Sequence, residues 1–214
     1  MTEEYAASVR GQVIPKQHVE TFLSAGVLRG AGNCATSHDA AAQARRHRQQ
    51  RRWATQVIVT GELARQACAE RSLPPPDDVS PMHLLTIPET DVADLGSIIA
   101  AALAHSPAAR ALLTALEHEQ YIPEPAVRDY YDRNRDRFLT PEALRRGVDP
   151  YDEPAPADTQ PYEDVRNGIA AQLRHAAARR AFFNWLDEAR ADVVYAEGHE
   201  HPGDPSHPDH EHRH

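Results

Sequence analysis

Residues His199 to His214 hold six of the thirteen histidines of a 214-residue chain. They read His-Glu-His-Pro-Gly-Asp-Pro-Ser-His-Pro-Asp-His-Glu-His-Arg-His. Imidazole is the commonest protein ligand for divalent transition metals. The pairs His199/His201 and His212/His214 flank Asp204 and Asp209, with His207 and His210 between the pairs. Mixed imidazole and carboxylate donors suit zinc, nickel, copper or iron better than magnesium or calcium, which prefer oxygen shells. The expected inner shell is drawn from His199, His201, His207, His210, His212 and His214. Asp204 and Asp209 join it as ligands or as hydrogen-bond partners of ligands. Six imidazoles exceed one tetrahedral site, so at most three or four serve one ion, and spacing alone does not select them. Interleaved Pro, Asp, Glu and Gly set the segment apart from an uninterrupted cloning tag. It is read either as a weakly chelating disordered tail or as an ordered segment folded onto the body. Pro202, Pro205 and Pro208 stiffen it and bar helix, and Gly203 permits a turn, which favours the ordered reading.

Other reactive residues are fewer. Cys34 and His38 share a glycine-rich stretch where a thiolate can complete a mixed metal site, although a loop cysteine beside a capping histidine is the simpler reading. Cys68 falls on an apolar helical face and is expected in the core. Arg45, Arg46, His47, Arg48, Arg51 and Arg52 form the one dense basic run. It is read as a solvated helix face or as a dock for an acidic partner such as a carrier protein or anionic substrate. Glu117-His118-Glu119 and Tyr130-Tyr131 carry acid–base groups without the spacing of a known motif. Neither His-Glu-x-x-His nor Gly-x-Ser-x-Gly occurs, which excludes a zincin protease and a nucleophile elbow.

These groups need a scaffold, and composition points to helices. Apolar residues make up 41% and aromatics only 6%, with alanine abundant, so closely packed helices are expected. The net charge of −9 argues against nucleic-acid binding, which needs surplus Lys and Arg. Two cysteines without a C-x-x-C pattern do not make a disulfide framework. The opening Met-Thr-Glu-Glu-Tyr lacks the features of a secretion signal. No apolar run approaches the roughly 18 residues of a membrane span. A cytoplasmic protein with no membrane partner is expected.

Along the chain, Ser8 to Ile14 is a strand–turn candidate. Pro15 opens a helix to about Ala25. Thr36 and Asp39 resemble a capping box ahead of a long helix to about Ser72. On it Trp53, Val57, Gly61, Ala64 and Cys68 form a face small enough for another helix to approach closely. Helices follow at about 91–104, from the Ser106-Pro107 cap to about Glu119, and from Glu124 to about Phe138. Pro141, Pro150, Pro154, Pro156 and the adjoining Pro161 mark 140–161 as an exposed linker whose deletion should barely change stability. A long helix from Tyr162 to about Arg190 and a strand at Asp192–Glu197 complete the chain. The expected organisation is one helical domain over 1–198 and a His-rich tail over 199–214.

Three segments together resemble the shell of the SurA and PrsA type of parvulin foldase chaperones. Val9-Arg10-Gly11-Gln12-Val13-Ile14 is similar to the family's opening Val-Asn-Gly-x-x-Ile turn, with Arg10 where Asn is usual. Pro125 to Phe138 resembles the helix leading into the isomerase domain. Tyr162 to Tyr195, with Val165, Ile169, Leu173, Phe182, Trp185 and Val193-Val194-Tyr195, resembles the returning helix and last strand. These segments cover about half the chain. An isomerase domain of about a hundred residues stands in the family where this chain has only Thr140 to Gln160, leaving no room for its sheet. The resemblance therefore implies the helical chaperone shell without prolyl isomerase activity. It also implies a first strand paired with the last, which sets Val9–Val13 against Val193–Ala196. The chain is also similar to small uncharacterised actinobacterial proteins with a comparable His-rich tail.

The expected fold is mostly α, a foldase-like shell with a tiny two-stranded ribbon joining the chain ends. The expected function is that of a chaperone-like accessory or assembly protein. Its helical cleft takes a client protein or small-molecule substrate, and its tail binds a divalent transition metal. The alternative is a metal-dependent enzyme of specialised metabolism, with its site where the tail meets the cleft.

Overall fold

The computed structural model describes residues 5–25, 40–74, 92–93, 95–152 and 155–201. Cys34, His38, the Thr36/Asp39 cap and 202–214 lie outside them. The fold is mostly α. The described residues fall into two compact units, one within Met1–Leu113 and Phe183–His214 and the other within Thr114–Phe182.

In the first unit the chain opens with a hairpin of Tyr5–Val9 (β1) and Gln12–Pro15 (β2). Arg10 and Gly11 join them with φ of 48° and 85°. Positive values at both positions are what a two-residue type I′ turn demands, and only glycine adopts them without strain. The other edge of β1 accepts Val194–Tyr195 (β3), giving a three-stranded antiparallel sheet in the order β2-β1-β3. First and last strands thus pair, but at Ala7↔Tyr195 and Ser8↔Val194. The Val9–Val13 run does not lie along the last strand, because the Arg10-Gly11 turn folds it into a hairpin and adds a third strand to the expected ribbon. Ile14, Ala7 and Tyr195 share one face by this register, with Ile14 and Ala7 buried. Val13, Ser8 and Val194 share the other, where Val13 and Val194 are 52% and 58% exposed.

Lys16–Ser24 (α1) leads on to Ala40–Glu70 (α2), the axis of this unit. Val57 packs with Ala101 and Ala102 of Ser97–His105 (α3), flanked by Phe22, Trp53 and Ile98. Phe22 lies 6.2 Å from the Trp53 ring and 5.1 Å, edge-on, from that of His105. The small face of α2 does admit a close neighbour. A side chain at Gly61 would begin 3.3 Å from Ser106, at the turn between α3 and Pro107–His118 (α4). Ser106 caps α4 as its sequence predicts, its hydroxyl accepting from the Ala109 N–H at 3.2 Å. Cys68 is buried, and its thiol donates to the Ala108 carbonyl. Burial pushes that thiol's pKa up, against the opposing charge of Arg71 and a backbone hydrogen bond. It is a core residue.

The second unit contains Glu124–Arg133 (α5), a 3₁₀ turn at Arg135–Phe138 and Pro141–Arg146 (α6). A second 3₁₀ turn at Pro156–Asp158 precedes Tyr162–Ala189 (α7), whose last turns belong to the first unit. Residues 140–161 are not a bare linker. Thr140 caps α6 by accepting from the Ala143 N–H, Pro141 occupies its first turn, and Gly147 ends it at φ 70°. Leu139 and Ala143 are buried, Leu139 bridges to Thr159, and Arg146 pairs with Asp158. The Tyr131 hydroxyl donates to the Gln160 carbonyl at 2.6 Å. The prolines here delimit short packed elements. Among the described residues, no single helix is long and apolar enough to cross a membrane.

Candidate functional site

The middle of α2 is largely buried, yet it carries Arg52, Thr55, Gln56 and Thr60. Residues 52, 56 and 60 recur every fourth position, so they stack along one helical stripe with Thr55 beside it. A buried polar stripe needs partners. The chain supplies them with the segment that follows β3. Ala196 extends the pairing with β1 by donating to the Ala6 carbonyl, and the His199 N–H closes a turn onto the Ala196 carbonyl, both at 3.0 Å. Gly198 sits in that turn at φ 81°, a conformation open to glycine and costly for most side chains. Its N–H donates to both carboxylate oxygens of Glu200 at 2.9 Å.

This turn drives His199 into the body, where it is 3% exposed. Its Nδ1 lies 2.8 Å from Thr55 Oγ1, which lies 2.8 Å from the Arg51 carbonyl. A hydroxyl has one proton. Given to the Arg51 carbonyl, it leaves Oγ1 to accept from Nδ1–H and places the imidazole lone pair on Nε2. The Gln56 side chain donates to the His199 carbonyl at 3.5 Å and accepts from the Tyr195 hydroxyl at 3.0 Å. Burial pushes the His199 pKa down to about 4, and the positive charges of Arg51, Lys16 and Arg52 push the same way against Glu200. The ring is therefore neutral at pH 7. Arg52, 5% exposed, approaches Glu200 at 3.7 Å.

Beside this seam lies a cavity of about 230 Å³. Val59, Ile98, Ile99, Phe183 and Leu186 are its apolar lining. Gln56, Thr60, Tyr195, Arg190 and His201 are its polar lining, together with Gly96 and Ser97 where α3 begins. Burial raises the pKa of the Tyr195 phenol, while its hydrogen bond to Gln56 and the charge of Arg190 act in the opposite sense. The phenol is protonated at neutral pH and keeps an oxygen lone pair to offer.

Of the eight expected metal ligands, His199 is thus an interior hydrogen-bonded residue and His201 a cavity-lining one. Asp204, His207, Asp209, His210, His212 and His214 lie outside the described residues. Among the described residues, no cluster of three or more His, Cys, Asp or Glu side chains is arranged to hold an ion. Two imidazoles alone do not complete a tetrahedral shell, so a metal here takes further donors. The basic run divides. Arg45 and Arg46 are exposed, Arg48 and Arg51 half-buried, and Arg52 faces inward. Glu117 meets His175 at 3.0 Å, and Tyr130 and Tyr131 pack on Phe138.

Gln56, Thr60, Tyr195 and Arg190 were not among the expected site residues. The signal for the first two was present in the four-residue spacing of polar side chains inside an otherwise apolar stretch of helix. No known family model matches the chain, and neither does any curated protein or solved structure.

Proposed function

We propose that the protein is a chaperone-like accessory or assembly protein that binds a divalent transition metal through its C-terminal His/Asp segment. One observation carries this reading: the segment begins inside the fold. His199 is fixed beneath α2, and His201 opens onto the cavity. A merely solubilising tail has no need of a buried root. The Nδ1–H tautomer of His199 also leaves Nε2 as the free donor, the arrangement that oriented metal-binding histidines use. The pairing of the chain ends agrees with the resemblance to the foldase shell. In this reading the shell holds a client, the exposed Arg45–Arg46 end of the basic run meets an acidic surface, and 202–214 supplies most of the metal donors. A bound divalent ion would supply a Lewis-acidic charge.

A second reading is a metal-dependent enzyme whose substrate enters the cavity. The observation that favours it is the convergence of His201, Tyr195 and Arg190 on one space of molecular size.

Equilibrium dialysis against zinc and nickel, with full-length protein purified without a nickel column, tests the metal claim. One tightly held ion supports a defined site, and several loosely held ions support a delivery tail. No bound ion refutes both.

A further inference from the structure

The cavity has a chemical signature that points to its own ligand, independent of metal. The acidic residues outnumber Lys and Arg by 32 to 23 in this chain, yet no carboxylate appears among the described residues lining the cavity. Its permanently charged group is the Arg190 guanidinium. Arg190 also pairs with Asp187, but that carboxylate is 61% exposed, so solvent screens the pair and a better-placed anion can share the guanidinium. Gly96, which also lines the cavity, precedes the first turn of α3; its own N–H is taken by the Val92 carbonyl, and the turn has no side-chain cap and no acidic residue. The N–H groups of that turn add positive potential to a space that already holds Arg190. Thr60 and Tyr195 add hydroxyls, and the Gln56 amide has a second N–H. Val59, Ile98, Ile99, Phe183 and Leu186 add aliphatic and aromatic surface to the lining.

We propose that this cavity is a binding site for a small monocarboxylate carrying a short apolar chain or ring, with the carboxylate toward Arg190 and the start of α3. The volume corresponds to about eight waters of liquid, which fits a ligand of about eight non-hydrogen atoms. Hexanoate is such a molecule. 1-Hexanol and 1-hexylamine share its chain and differ in head-group charge, so the three separate apolar filling from anion recognition.

The test is titration of the full-length, chelator-treated protein with each compound, followed by calorimetry and by amide and side-chain NMR shifts. The expected result is hexanoate binding with a Kd of about 1 mM or tighter, a range open to ligands of this size. Its affinity should exceed that of hexanol and hexylamine by about tenfold. Shifts should centre on Gly96, Ser97 and the Gln56 amide. Arg190→Gln should erase the preference for hexanoate over hexanol while leaving the helical CD signal unchanged. The proposal is overturned by equal or tighter binding of hexylamine, by shifts centred elsewhere, or by no hexanoate binding. Hexanoate binding only after zinc is restored would also overturn it, because the metal would then be the recognition element. Replacing Asp204, His207, Asp209, His210, His212 and His214 should leave hexanoate affinity unchanged, so failure of the metal reading and failure of this one are separate results.

Discussion

His199 is the residue on which the C-terminal segment turns. Its folded pKa of about 4 lies below the ordinary histidine value of 6.5. Between those values the unfolded chain binds a proton that the folded chain refuses. The stability this ring contributes is therefore complete above pH 6.5, and it is lost progressively as the pH falls toward 4. The loss amounts to about 3 kcal/mol at most. Urea titrations at pH 7, 5 and 4 should show the wild type losing more stability over this interval than His199→Gln. Parallel losses in the two proteins would mean that the ring is solvated. The sequence marked His199 as a candidate metal ligand, since imidazole chemistry is written in the residue type. It did not disclose burial. That depends on Thr55 and Gln56, more than 140 positions away, and no local pattern encodes such a partner.

The elements were legible where their end signals were local. Ser106-Pro107 starts α4 as its chemistry requires, and the long helices α2 and α7 follow their apolar spacing. Thr140-Pro141 and Gly147 are equally good start and stop signals for α6. The surrounding prolines obscured them, because proline density reads the same in a linker as in a run of tightly capped turns. The expected outcome of replacing Thr140 to Gln160 with a short Gly/Ser connection is consequently reversed. The change removes buried Ala143, the Leu139–Thr159 bridge and the Arg146–Asp158 pair. Thermal melts should show a fall in Tm of several degrees or loss of folding in the second unit. An unchanged Tm would show that these contacts contribute nothing. On α2, Gly61→Val should destabilise by about 1–3 kcal/mol, because its branched side chain meets Ser106 at once. A neutral result in chemical denaturation would mean that the α3–α4 turn yields freely.

For the molecule as a whole, the three-stranded sheet joins the two ends of the chain and brings the C-terminal segment to the polar stripe of α2. Helical class was readable from alanine content and periodicity. The joining of the ends was implied by resemblance, but its register at Ala7↔Tyr195 and Ser8↔Val194 was not. The cavity was not readable, because it is made by four stretches of sequence that meet only in the folded first unit. In the function proposed above, the His/Asp segment is a metal-binding device rooted in that fold. The most direct measurement is zinc affinity of the full-length protein beside a variant with His207, His210, His212 and His214 changed to Gln and Asp204 and Asp209 to Asn. His199 and His201 remain in place, so the fold keeps its anchor. Binding should weaken steeply below about pH 6, where free imidazoles take up protons. The variant should lose at least a hundredfold in affinity, since two histidines cannot replace a full shell. A variant that holds zinc as tightly as the wild type would contradict this function and would move the site to residues upstream of His199.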